Sequence, residues 1–129
     1  MTVSNLDIRA AFDDFLDGLT GLPERGWGDR GFVPPADGPS LRSNLLPAGK
    51  TYAACGIDLR EARGLFVVEV WAPIGSEEEA DQIASRLESA FLDAGEIGNI
   101  WIMGCTAMEG RAVDGLWRVQ VKVAWKLYG

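Results

Sequence analysis

Residues 115–127 read GLWRVQVKVAWKL, and their alternation decides the class of fold. Trp117, Val119, Val121, Val123, Trp125 and Leu127 fall on one face; Arg118, Gln120, Lys122, Ala124 and Lys126 fall on the other. A period of two with one apolar face is the pattern of a strand in a sheet covered on one side. At roughly 3.4 Å per residue this strand is long for a domain of 129 residues.

Working outward, LFVVEVWA (65–72) repeats the pattern, with Phe66, Val68, Val70 and Ala72 together and Val67, Glu69 and Trp71 opposite. SLRSNLL (40–46) sets Leu41 and Leu45 against Arg42 and Asn44, and NIWIMGCTAM (99–108) reads as a further strand. The segment TYAACGIDLREARG (51–64) is compatible with a strand, an extended hairpin arm or a mobile loop. Pro47 is expected to cut the first strand short, as suits a sheet edge that must not recruit other chains.

Two helices are expected. Ser4 is placed to cap the first, whose stripe is Ile8, Phe12, Phe15 and Leu19, with Gly18, Gly21 and Pro23 ending it. Ser76 and Glu79 have capping-box spacing before the second, whose stripe is Ile83, Leu87, Ala90 and Phe91; Gly95 suits its C-terminal end. Acids at 77–79 complement the positive end of that helix dipole. Residues 22–39 show no periodicity and read as a long loop anchored by Trp27 and Phe32. Strands grouped around one intervening helix predict a single α+β domain over 1–129. Its sheet is mainly antiparallel, of four to five strands, with two helices packed on one face.

The chain carries 19 acids and 12 bases, a net charge of −7, which argues against binding driven by neutralising nucleic-acid phosphates. All 19 acids lie within residues 1–114 beside nine bases, whereas 115–129 hold Arg118, Lys122 and Lys126 and no acid. Distinct charged faces of this kind can match between subunits. The first residues are acidic and amphipathic rather than signal-like, and no apolar run nears the roughly 20 residues that cross a bilayer. A cytoplasmic site of assembly and no membrane partner are therefore expected.

Chemistry is hard to find. Without histidine, the commonest general base and metal ligand is missing, and Cys55 and Cys105 read as buried reduced thiols. No glycine-rich phosphate cradle is present, so no cofactor, metal or catalytic residue is expected. Glu69, inside an apolar strand, is expected to pair across strands with a cation such as Arg118 or Lys122. The five tryptophans read as core or interface anchors rather than a ligand box.

FVPPADGPSLRSNLLPAG (32–49), then RGLFVVEVWAPIG (63–75), then the acid-capped helix and LWRVQVKVAWKLYG (116–129) together resemble the phage tail terminator family. Pro34, Pro35, Asp37, Gly38 and Pro39, then Val68, Val70, Ala72, Pro73 and Gly75, then Trp125 carry the likeness; residues 49–64 do not match it. The resemblance implies a structural virion protein forming a ring, generally of six subunits, on the head-proximal end of a finished tail tube. It implies partners in the tail tube protein, a head–tail connector protein and further copies of the chain, with genome DNA passing through the lumen unbound. An acidic lumen would repel that DNA. A connector or tube protein, or a small ligand-binding module, are the other readings. Subunit and partner contacts are expected at Trp27 and Phe32, at the segment from Tyr52 to Arg63, and at Arg118, Lys122 and Lys126.

Overall fold

The computed structural model describes residues 5–23, 25–27, 38–52 and 60–128, with side chains over 8–23, 38–46 and 63–127. The elements run α1 (Asn5–Asp17), β1 (Arg25–Trp27), β2 (Ser40–Tyr52), β3 (Arg60–Pro73), α2 (Glu77–Ala94), β4 (Glu96–Ile97), β5 (Ile100–Ala107), β6 (Arg111–Val113) and β7 (Leu116–Tyr128). They form one sheet in the order β1-β2-β3-β7-β5-β4. β6 shares with β5 the edge of β7 that β3 leaves open. The fold is α+β. Four long strands carry the sheet, as the alternation predicts; β1, β4 and β6, of two or three residues each, are additions the patterns did not show.

β7 is central. Its residues 116–128 pair antiparallel with β3 along their whole length, Val121 opposite Val68 and Trp125 opposite Gly64. The valines and Trp125 turn to one face, where both helices sit. Phe12 of α1 stacks flat on Phe66 of β3, with centroids 4.3 Å apart and planes 5° apart. It also meets Phe91 of α2 at 6.2 Å and Trp125 of β7 at 6.4 Å. Such aromatic pairs add about 0.5–1.5 kcal/mol each beyond the area they bury. One cluster thus fastens both helices and two strands.

Several expectations need correction. The first helical stripe is Ile8, Phe12 and Leu16, all buried; Phe15 and Leu19 pack at its margin. At 3.6 residues per turn Leu19 would return to the stripe of a longer helix, but α1 ends at Asp17 and Leu19 lies past its last turn. In α2, Ala80, Ile83, Ala84, Leu87 and Phe91 are buried, and Ala90 is only half-buried. The capping box does not form: Ser76 makes no side-chain cap bond, and Glu77 accepts the backbone N–H of Gly75 instead. Gly95 ends the helix as expected, at φ 66°, donating its N–H to the Phe91 carbonyl at 3.2 Å.

Pro47 does not end β2. The strand continues to Tyr52 through a register shift between Pro47 and Lys50. A bulge already interrupts the ladder, so a proline there forfeits little pairing. The segment with three open readings supplies two hairpin arms, Tyr52 opposite Arg60; residues 53–59, with Cys55, lie outside the described residues. The expected loop over 22–39 contains β1, which pairs parallel with Leu41–Ser43. The capping role of Ser4 falls outside the described residues.

Candidate assembly surface

Alternation that sends the valines of β7 to the helices sends Arg118, Gln120, Lys122, Ala124 and Lys126 to the other face of the sheet. No described helix covers that face; both helical stripes belong to the core on the opposite side. Strand register arranges it in rows. Ser40, Trp71 and Arg118 form one; Arg42, Glu69 and Gln120 the next; Asn44, Val67, Lys122 and Thr106 a third. Leu46, Leu65, Ala124 and Gly104 follow, and then Arg63, Lys126 and Trp101.

The first two rows make a closed polar cluster. The Glu69 carboxylate lies 3.5 Å from Arg118 and 3.8 Å from Arg42, and accepts a hydrogen bond from Gln120 at 3.2 Å. The Arg118 guanidinium stands over the Trp71 ring at 5.7 Å, a cation–π distance. With the Glu69 side chain only 13% exposed, water screens these contacts less than it would at the surface. Glu69 thus meets the cross-strand partner expected in Arg118, and Lys122 is not among its partners. Ser40 Oγ, Trp71 Nε1 and Arg118 Nε are buried without a hydrogen-bond partner.

The last two rows are different in kind. Leu46 (47% exposed), Leu65 (38%), Trp101 (50%) and Met103 (56%) present apolar surface to solvent. Met103 falls at the register shift between Ile102 and Gly104, where the ladder to β7 skips it. Lys122 and Lys126 are half-buried beside them, and Arg63 is exposed. Lone exposed apolar residues need no explanation, but these four are set on adjacent rows and form a patch.

Of the expected contact residues, Arg63, Lys122 and Lys126 come together here, Arg63 opposite Lys126. Arg118 stands apart, committed to Glu69. Trp27 lies in β1 opposite Ser43, and Tyr52 closes β2; the side chains of both, and Phe32 altogether, lie outside the described residues. Leu46, Leu65 and Met103 are additions to the expected contacts, whereas Trp101 is among the five tryptophans read as core or interface anchors. Alternation held the signal for Leu65, because Phe66 inside obliges its neighbour to face out. Behind the sheet, the Cys105 thiol is buried, and that burial, with Glu88 nearby, pushes its pKa from 9.0 up to about 11.

The outer face of the sheet thus combines exposed apolar side chains with cations. The chain belongs to the phage tail terminator protein family, whose profile matches residues 7–125. It is a structural component of a phage tail. Twenty-one solved chains match it. One is 28% identical, covers 98% of this chain and 96% of its own, and superposes with a TM-score of 0.72. No curated protein matches the chain. Among the described residues, no helix is long and apolar enough to cross a membrane.

Proposed function

We propose that the protein closes into a ring, hexameric in number, that caps the head-proximal end of the tail tube. In this reading it stops addition of tube protein and offers the surface to which a connector on the filled head joins. Family membership across residues 7–125 is the observation that carries the reading. The sheet geometry supports it. β2 has a strand on its outer side only at Leu41–Ser43, so among the described residues its outer edge from 44 onward is open to a neighbour. The net charge of −7 per copy suits a conduit that DNA slides through without being held. Glu69 offsets one of the two charges that Arg42 and Arg118 bring to the open face.

Purified protein imaged by electron microscopy with and without assembled tube protein tests this proposal. Closed rings, one layer at one end of each tube, are expected. Filaments of the protein alone would favour a tube protein instead, since a terminator must not add a second layer of itself.

A further inference from the structure

The ring reading leaves open which surfaces meet, and the charge pattern of the chain points to an answer. The exposed apolar patch of Leu46, Leu65, Met103 and Trp101 is bordered by Lys122 and Lys126. Lys122 forms no ion pair among the described residues, and its row holds only Asn44, Val67 and Thr106. The complementary surface lies at the start of α2. Glu78 and Glu79 are exposed there, and Ile74, in the turn just before, is 56% exposed. An apolar side chain beside two carboxylates mirrors an apolar patch beside two ammonium groups.

The two surfaces cannot meet within one subunit. α2 packs on the helical face of the sheet, whereas the patch is on the open face. Along β3 they are also separated by the run from Leu65 to Pro73, eight residues or about 26 Å at ~3.3 Å each. Two copies related by a two-fold axis through the patch would set lysine against lysine. The charges instead favour a head-to-tail contact, in which different surfaces meet and repetition gives a ring when the rotation between copies closes.

We propose that the open-face patch receives the Ile74–Glu79 pole of α2 from the next copy, with Lys122 and Lys126 opposing Glu78 and Glu79. Ile74 seats on the apolar rows. This rests on the ring reading and names its interface.

Charge exchange tests it. One variant carries Lys122→Glu and Lys126→Glu, a second Glu78→Lys and Glu79→Lys, and a third carries all four changes. Native mass measurement across protein concentration, with circular dichroism to verify folding, reads the assembly. Each two-site variant is expected to weaken association by roughly tenfold or more, because like charges then face each other. The four-site variant is expected to recover it. Two-site variants that assemble like wild type overturn the proposed contact and leave the ring intact. Loss without recovery in the four-site variant overturns it too, since opposed charges must be exchangeable. If wild type forms no closed ring on the tail tube, the ring reading itself fails.

Discussion

At the scale of single residues, burial decides both charge and reactivity. Cys105 sits behind the sheet with its thiol pushed up to about 11, first by burial and then by Glu88. Below about pH 9 the thiol is protonated in folded and unfolded chains alike, and its contribution to stability is complete. Between about 9 and 11 the unfolded chain ionises while the folded one resists, so stability falls as pH rises. Urea titrations across that range are expected to show a steeper loss in wild type than in Cys105→Ala; equal slopes would refute the assignment. Glu69, also partly buried, is met there by two arginines and Gln120. The sequence made that pairing legible because an acid inside an apolar strand requires a cross-strand partner. It could not make Ser76 legible, because cap geometry depends on the turn at Ile74–Gly75, which the capping-box spacing does not encode.

At the scale of elements, β7 was readable because its alternation runs unbroken for over ten residues, and the helices because their stripes are strongly periodic. Short strands were not. β6 has three residues, too few for a period, yet it is closed onto β7 by Asp114 (φ 52°) and Gly115 (φ 78°). That Asp-Gly pair is a hairpin signal, and its weight depends on seeing Val113 opposite Leu116. β1 is invisible for another reason: its parallel pairing to Leu41–Ser43 is fixed by tertiary contact, not by its own residues. The link between β5 and β6 gives a prediction. A Cβ on Gly110 would lie 2.6 Å from the Trp117 ring, whose Nε1 donates to Asp81 of α2 at 3.3 Å. Gly110→Ala must therefore push Trp117 or the link aside. We expect it to cost about 1–3 kcal/mol in denaturant unfolding, as overpacking usually does. A change below about 0.5 kcal/mol, the range of an ordinary surface substitution, would show that Trp117 gives way freely.

At the scale of the whole molecule, the sequence pattern was sufficient for the α+β class and for one polar sheet face, because both follow from alternation. The assembly patch was only half legible. Arg63, Lys122 and Lys126 were visible as cations, but their gathering with Leu46, Leu65, Trp101 and Met103 depends on register and on the shift at Met103. Register is a property of strand pairs, and no single strand contains it. The same separation of surfaces, acids at the start of α2 and cations across the open face, makes the chain suited to head-to-tail repetition. Termination of the tail tube is the central claim, and deleting the gene and imaging the tails tests it most directly. The account predicts overlong tails that fail to join filled heads, restored to normal length when the wild-type protein is supplied. Tails of normal length joined to heads in its absence would contradict it.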